Sequence, residues 1–318
     1  MSWVFDAPTG VYKDHALSSK IREEAAADTL FSRFVSPERG YGKGKGQSVT
    51  ITRVMQLPVA GKVSELDRLP TGRPAIDTVS KTVSEWGFAI ETTEFEENLT
   101  HFDLRNKFQR MLRDQMRITM DKMVADALKS TPLKAVGTGT SGSPTTAFDN
   151  VTYTGSPTIA TTTNTRNIQI ADLREIHDRL RGDNKAPGYR NGKYVGILST
   201  KAARGIKSDS EYKDWLSPTT AEPFISGRLK DVEGFALFEC NNFDALDNSI
   251  QGGNTGEALF FGDDGGFLAT VQDPELRAGL PEDLGRFRKV GWVGTLEAGL
   301  TWTTQETARV CHWSAAGA

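Results

Sequence analysis

The sequence predicts an α+β fold, because strand patterns lie on both sides of a long helical pattern. Residues 48–57 and 76–91 alternate between apolar, often β-branched, and polar types, which indicates two strands. Residues 100–129 place apolar side chains every three or four positions, which indicates a helix. Residues 291–302 return to a period of two, with apolar or small side chains at the even positions from Trp292 onward.

Length and composition limit the class of protein. The chain has 318 residues, of which 37% are hydrophobic, and this is enough for one large domain or two small ones. Its formal net charge of -3 argues against binding nucleic acid through a basic surface, although it does not argue against enclosing nucleic acid. Cys240 and Cys311 are far apart and have no CxxC partner, so we expect neither a zinc motif nor a disulfide framework.

The sequence gives no reason to expect secretion or membrane insertion. The first residues lack a basic segment followed by an apolar run, so we expect no signal peptide. No apolar run approaches the ~20 residues that cross a bilayer. We therefore expect a subunit that is soluble when made and that has no membrane partner.

Residues 1–40 are predicted to form an arm. Within it, residues 15–34 place apolar side chains on one helical face. A single helix cannot cover such a stripe by itself, so we expect it to dock on another surface, for which a neighbouring subunit is one candidate. Residues 37–46 have glycine at every second position from 40 onward, which indicates a flexible hinge.

The strands predicted at 48–57 and 76–91 are expected to form a long two-stranded ribbon. Residues 58–75 between them contain three prolines and two glycines, and we interpret them as a broad polar tip. Ten residues of strand reach roughly 33 Å. Because an isolated hairpin is marginally stable in water, the ribbon is expected to lie across a partner.

The rest of the chain is predicted to be a helix followed by mixed structure. The helix at 100–129 would be roughly 40 Å long, with a capping box at Thr100 and Asp103 and a stop at 130–132. Residues 137–165 indicate loops or short strands, and 137–144 is interpreted as a linker. The remaining predicted elements are helices at 170–181 and 200–206 and strands at 194–199, 235–240, 258–261, 267–271 and 310–313.

No residue pattern in the sequence indicates catalysis or cofactor binding. The four histidines lack metal-ligand spacing, and there is no GxSxG elbow. The glycine- and lysine-rich run at 40–46 lacks the spacing of a phosphate-binding loop. Asp263 and Asp264 could bind a hard cation, but the glycines that follow them favour a hairpin turn. We therefore expect no enzyme, no cofactor and no metal.

The order of these elements resembles the major capsid proteins of tailed bacteriophages, whose fold is named after phage Hong Kong ninety-seven. Six stretches across about residues 30–313 also resemble the N-four-like podophage branch: GKGQSVTITRVMQLP, IDTVSKTVSEWGFAIETTEF, DKMVADAL, GKYVGILSTKAA, GRLKDVEGFALFECNNF and ARVCHW. The resemblance implies an N-terminal arm at 1–40, a β-hairpin E-loop at 41–90, a peripheral domain with a spine helix at 91–135, an axial α/β domain at 136–285, and C-terminal strands at 286–318 that return to the peripheral domain.

The resemblance also implies a function. The chain would be a major capsid protein that self-assembles into hexamers and pentamers and forms an icosahedral shell around double-stranded DNA, which it encloses without sequence-specific binding. Its expected partners are copies of itself, a scaffolding protein and a portal protein, with a cement protein as a further candidate. It would be made in the host bacterial cytoplasm and reside in the virion capsid. The short arm predicts that no prodomain is removed.

Five residues of the predicted tip are the candidate intersubunit contacts: Lys62, Glu65, Asp67, Arg68 and Arg73. The charged side chains would form ion pairs between subunits, each contributing only ~0–1 kcal/mol when exposed. Some family members cross-link an E-loop lysine to an asparagine, but no motif in this sequence assigns that chemistry to Lys62.

Three alternatives remain at the level of sequence. An encapsulin-like compartment shell would carry cargo enzymes. Another virion structural protein, such as a tail tube, would be mostly β and would lack the long helix. An enzyme with an unrecognised site would show a pocket with convergent polar groups.

Overall fold

The structure of the chain is a computed structural model. It describes all residues except 1–25, 40–45, 64, 66–67, 70, 100–103, 141–142, 151–165, 190–191, 217–230, 243, 247–255, 281 and 314–318. The strands in the described residues are β1 (Ser36–Glu38), β2 (Ser48–Val54), β3 (Ile76–Thr82), β4 (Ser84–Thr93), β5 (Leu133–Thr140), β6 (Ser143–Asn150), β7 (Tyr194–Ser199), β8 (Phe235–Cys240), β9 (Ala258–Phe261), β10 (Gly266–Ala278), β11 (Phe287–Leu300) and β12 (Val310–Trp313). The helices are α1 (Glu94–Leu99), α2 (Leu104–Lys129), α3 (Ile170–Asp178), α4 (Thr200–Ser208) and α5 (Ser210–Leu216).

A four-stranded sheet with α2 against one face forms the first structural unit. Its strand order is β1-β10-β11-β4, in which β1 is parallel to β10 and the other neighbours are antiparallel. The even positions of β11 from Trp292 to Leu300 are buried, which confirms the predicted alternation. The indole N–H of Trp292 donates to the side-chain oxygen of Gln115 in α2 (2.5 Å), so this face of the sheet meets the helix.

Helix α2 runs for 26 residues, close to the predicted span of 100–129. Its C-terminal half is buried through residues such as Val124 and Leu128, whereas its N-terminal half is more exposed. The helix ends at the predicted position, where the hydroxyl of Ser130 donates to a carbonyl of the last turn (2.6 Å). Thr100 and Asp103, the predicted capping box, lie outside the described residues.

A six-stranded sheet forms the second structural unit, in the order β6-β5-β12-β9-β7-β8. β7, β8, β9 and β12 occupy the residues predicted for them, because each is a short apolar run between turn residues. Helices α3 and α4 contribute Leu173 and Ile206 to a core that also contains Tyr194, Phe260 and Trp313. This core gives the sheet its stability, since burying side chains of this size contributes about 1.5–3 kcal/mol each.

The predicted arm helix at 15–34 is wrong in its described part. Residues 26–30 have no regular structure, and Phe31–Arg33 form a single turn of 3-10 helix. The buried carboxylate of Asp121 in α2 accepts the backbone N–H groups of Leu30 (3.2 Å) and Ser32 (3.0 Å). These bonds take the donors that a continuing helix would use, so docking on α2 overrides the helical pattern.

The predicted hinge at 37–46 is wrong at its start. Ser36–Glu38 form a strand that pairs in parallel with β10, which supplies backbone partners that the local sequence does not reveal. Residues 40–45, which carry most of the glycines, lie outside the described part of the chain.

The second ribbon strand, predicted at 76–91, is two strands. β3 ends at Thr82 and β4 begins at Ser84, with an interruption at Val83, whose N–H donates to the Gln47 carbonyl (2.9 Å). β3 pairs with β2, whereas β4 pairs with β11 in the four-stranded sheet. The alternation is continuous in sequence, but the chain changes partners at Val83.

Two predicted connections are also wrong. The linker at 137–144 contains the adjoining ends of β5 and β6, which form an antiparallel hairpin. The hairpin turn at Asp263 and Asp264 joins strands of different sheets, because β9 lies in the six-stranded sheet and β10 in the four-stranded sheet. Asp264 adopts a positive φ of 53° at this crossover. The predicted strand at 267–271 continues as β10 to Ala278.

The predicted domain boundaries stay a prediction, but the two C-terminal strands divide between the units. β11 lies beside α2 in the four-stranded sheet. β12 lies between β5 and β9 in the six-stranded sheet, parallel to the first and antiparallel to the second. The segment 286–318 therefore contributes strands to both units.

Candidate assembly site: the β-ribbon and its anchor

The ribbon consists of β2 and β3 in an antiparallel register that runs from Ser48 opposite Thr82 to Val54 opposite Ile76. One further bond extends it, from the N–H of Met55 to the carbonyl of Ala75 (2.9 Å). Seven residues of strand reach roughly 23 Å. Beyond this ladder, the described residues between 56 and 75 form no regular helix or strand.

The inner face of the ribbon packs on its own subunit. Val49 and Arg53 in β2 are buried, while the alternate positions are exposed. Val49 contacts a small cluster with Phe267 and Ala269 of β10. The expectation that the strands need a neighbouring subunit to cover them is therefore wrong for this part of the ribbon, because the four-stranded sheet covers one face.

Arg53 ties the ribbon to the chain that follows β11. One guanidinium nitrogen donates to the carbonyl of Thr301 (3.0 Å) and to the hydroxyl of Thr303 (3.2 Å). The other nitrogen forms an ion pair with the carboxylate of Asp77 in β3. A backbone N–H from Thr78 and this guanidinium together hold the pKa of Asp77 below its ordinary value. Arg53 is 4% exposed, so its guanidinium is shielded from water, whereas the side chain of Asp77 is about half exposed.

Trp302 connects Arg53 to the crossover between the sheets. The guanidinium groups of Arg53 and Arg309 lie over its ring, at 5.7 Å and 4.3 Å from the centroid. The carboxylate of Asp264 accepts from Arg309 (3.1 Å) and from the indole N–H of Trp302 (3.4 Å). We call Arg53, Asp77, Asp264, Trp302 and Arg309 the anchor cluster. It fixes the tip end of the two-stranded ladder to both units of the subunit.

Replacing Arg53 with methionine tests the anchor cluster. The change removes charge-assisted hydrogen bonds and leaves the carbonyl of Thr301 without this donor, so we expect the free energy of unfolding to fall by about 1–3 kcal/mol. We also expect faster amide exchange in β2 and β3. Urea unfolding and hydrogen exchange measure the two effects. Lys62→Met, at an exposed tip cation, is the control and should stay within about 0.5 kcal/mol of the parent. Equal exchange in both variants would show that Arg53 does not position the ribbon.

The predicted tip residues Lys62, Glu65, Arg68 and Arg73 are exposed, and Asp67 lies outside the described residues. Within the part of the chain that the structure describes, no ion pair joins these four side chains to one another or to another residue. They are therefore available to a second subunit, and their role in intersubunit ion pairs stays a prediction.

The tip also presents apolar side chains that the interpretation as a polar tip missed. Val59 is 98% exposed and Leu69 is 77% exposed, and Leu57 is about half exposed. Val54 and Ile76, the last ribbon pair, are also exposed on this end. The sequence already contains these side chains, since the segment places single valines and leucines among its prolines, glycines and charged residues. These side chains are exposed within one segment of the subunit, which makes them candidates for burial against a second surface.

A second apolar surface lies where the N-terminal half of α2 separates from the four-stranded sheet. A groove of about 450 Å³ is lined by Ile90, Phe108, Ala278 and Val290, among other residues. Phe88, two positions before Ile90 on β4, is 53% exposed. Within the described residues, apolar side chains are thus exposed at two separate places on one subunit.

The described residues contain no helix long and apolar enough to cross a membrane. They also contain no group of three or more histidine, cysteine, aspartate or glutamate side chains that could hold a metal ion. The candidate sites for interaction among these residues are the ribbon with its exposed tip and the groove beside α2.

No family model and no curated protein sequence matches the chain. Solved structures do match it over nearly its whole length. The cyanophage Pam1 capsid subunit has a TM-score of 0.68 at 16% identity, covering 99% of this chain and 100% of that chain. The capsid of cyanophage P-SCSP1u has a TM-score of 0.66 at 11% identity, covering 99% and 97%. The capsid of Helicobacter pylori bacteriophage KHP30 has a TM-score of 0.66 at 13% identity, covering 96% and 97%.

These matches define the class of fold: the chain has the fold of bacteriophage capsid proteins. The predicted α+β class and the predicted resemblance to phage capsid proteins are confirmed at this level. The narrower resemblance to the N-four-like podophage branch stays a prediction.

Proposed function

We propose that the chain is the major capsid protein of a bacteriophage, a structural subunit and not an enzyme. The observation that carries the proposal is the match to phage capsid subunits over 99% of the chain, with equally full coverage of the cyanophage Pam1 subunit. Coverage of both chains means that the fold is shared as a whole and not through one common motif. The exposed apolar tip supports the proposal, because a monomer gains nothing from it.

In this function, each ribbon lies over an adjacent subunit, and repetition of that contact builds hexamers and pentamers. The expected free energies indicate that the apolar residues of the tip contribute more to this contact than its charged residues do. An exposed ion pair contributes ~0–1 kcal/mol, whereas a fully buried leucine or valine contributes about 1.5–3 kcal/mol. Leu57, Val59 and Leu69 would therefore supply most of the free energy, and Lys62, Glu65, Asp67, Arg68 and Arg73 would set which surface they meet.

The finished assembly would be an icosahedral shell around double-stranded DNA, within a virion formed in the host bacterial cytoplasm. The net charge of -3 is compatible with a container, since a strongly basic inner surface would bind DNA instead of enclosing it. A scaffolding protein, a portal protein and a cement protein are the further partners that such a shell would use.

Electron microscopy of the expressed chain tests this function. The chain should form closed shells or hexamers and pentamers, alone or with the scaffolding protein of the same phage. Monodisperse monomers under both conditions would overturn the proposal. The content of particles from infected cells separates a phage capsid from an encapsulin-like compartment, because the first would contain double-stranded DNA and the second would contain protein cargo.

A further inference from the structure

Four ionisable side chains are buried together where α2 ends and β5 begins. They are Lys129, Lys134, Glu257 and His312, each less than one-tenth exposed, and Lys134 is 0% exposed. They come from the last residue of α2, from β5, from the residue before β9 and from β12. We call them the junction cluster, because they lie where the long helix meets the six-stranded sheet.

In the junction cluster, one lysine has a carboxylate partner and the other does not. The ammonium of Lys129 forms an ion pair with Glu257 (3.0 Å). The Nζ of Lys134 lies 3.0 Å from Nδ1 of His312 and donates to the backbone carbonyl of Lys129. The Nε2 of His312 is 3.8 Å from Glu257, beyond hydrogen-bond distance. Among the described carboxylates, none is within ion-pair distance of Lys134.

A protonated Lys134 would therefore be a second buried cation, beside Lys129, near the carboxylate of Glu257. Burial lowers the pKa of Lys134 to about 7, against the attraction of Glu257. Burial, with the two lysines, lowers the pKa of His312 well below its ordinary value, so the imidazole is neutral. Of these two groups, Lys134 is therefore the one that gains or loses a proton near neutral pH.

Other titratable or charged residues lie on the neighbouring elements. Cys311 in β12 is buried, and burial raises the pKa of its thiol to about 12, so it is neutral in this range. The positive charge of Arg179, in the helical turn that follows α3, acts on that thiol. Asp149 of β6 is the register partner of Lys134 across the β5–β6 hairpin.

We propose that Lys134 makes the junction between α2 and the six-stranded sheet a pH-sensitive latch, closed when its amine is neutral and loosened when it is protonated. A neutral amine accepts the Nδ1 proton of His312 while it donates to the carbonyl of Lys129. An ammonium cannot accept, so His312 must carry its proton on Nε2 instead, facing Glu257. The added proton comes from solvent and leaves a net positive charge in a space without water-exposed partners.

The direction of the pH effect follows from the two states of Lys134. In the unfolded or locally opened chain the amine keeps its ordinary pKa of roughly 10.4. Its pKa in the folded state is lower, so opening takes up a proton between about pH 7 and pH 10, and the closed junction becomes more stable as pH rises through this window. Below the folded pKa the amine is protonated in both states, and its contribution no longer changes.

Hydrogen exchange of the full-length subunit tests the latch, with peptides from residues 128–137 and 308–313 as probes. After correction for intrinsic rates, the equilibrium constant for opening should be roughly 30-fold larger at pH 6.0 than at pH 8.5 in the parent chain. Lys134→Met should abolish most of this difference. Lys122→Met, on the more exposed surface of α2, is the control and should keep it. A parent without pH dependence, or a Lys134→Met variant that keeps it, would overturn the proposal.

A direct titration covers the case in which Lys134→Met does not fold. In the parent subunit with ¹³C-labelled lysine, one side-chain resonance should titrate near pH 7, about three units below an ordinary lysine. If every lysine titrates above about pH 9.5, the latch is refuted, whatever the variant does.

Discussion

A chain in which the dipeptide Asn-Gly replaces residues 56–74 is expected to fold as a stable subunit but to form no closed shells. The substitution joins Met55 to Ala75, the hydrogen-bonded pair that extends the ribbon ladder, through a two-residue turn of the type that hairpins favour. The buried inner face of the ribbon and the anchor cluster are untouched, so the free energy of unfolding should change by less than about 1 kcal/mol. Electron microscopy and circular dichroism measure the two outcomes. Normal shells from this chain would contradict the role given to the tip.

Two matched variants identify which part of the tip carries the contact. Serine at Leu57, Val59 and Leu69 should abolish closed shells, because three apolar side chains would contribute several kcal/mol at each contact. Neutral residues at Lys62, Glu65, Arg68 and Arg73 should slow assembly or increase its salt dependence without abolishing it, since exposed ion pairs contribute little. The opposite ranking would show that ion pairs hold the tip.

Replacing Phe31 with alanine is expected to lower the free energy of unfolding by about 3–5 kcal/mol, the usual cost of removing a fully buried aromatic ring. Phe31 is 0% exposed and packs in a core with Leu128 of α2 and Phe261 of β9. It is also held by the bonds that Asp121 accepts from its neighbours Leu30 and Ser32. Urea unfolding of the unassembled subunit measures the loss.

The control for Phe31→Ala is Phe95→Ala, which truncates the same type of side chain where it is 72% exposed. Its effect on unfolding should stay within about 0.5 kcal/mol. A loss below 1 kcal/mol for Phe31→Ala would show that the segment before β1 is not part of the subunit core. A loss of several kcal/mol for Phe95→Ala would show that α1 is buried in solution, against the exposure described here.

The sequence was sufficient to predict those strands whose hydrophobic pattern follows directly from which of their faces are buried. β7 and β8 were predicted to the residue. β7 is buried along its whole length, and such a strand needs an unbroken apolar run with a turn at each end. β8 is apolar except at Glu239, which is exposed. The even positions of β11 follow from a sheet with one face against a helix. For β6 and the second half of β5 the sequence left loops and short strands as alternatives, since threonine, serine and glycine also favour loops and the hairpin is stabilised by β12 at its side.

The ribbon could be predicted from the sequence, but the contacts that hold it to the rest of the subunit could not. The ribbon was predicted because apolar and polar residues alternate on both sides of a segment rich in proline and glycine. The bond from Arg53 to Thr301 joins residues 248 positions apart, and no local pattern contains that pairing. The arginine at an inward position of SVTITRV was a signal for a buried partner, but it did not identify Asp77 or Trp302. The apolar tip was missed because its valines and leucines are spaced singly among polar residues.

The position of β12 has a consequence for how a new subunit is completed. Of the strands described, β12 is translated last, yet it occupies an interior place between β5 and β9. Until the ribosome has released residues 310–313, both neighbouring strands have open edges, and Trp313 is missing from the core of the sheet. A chain that stops before residue 310 cannot complete this sheet, and its open strand edges are expected to make it prone to aggregation. The order of the strands thus makes completion of the sheet depend on translation of residues 310–313.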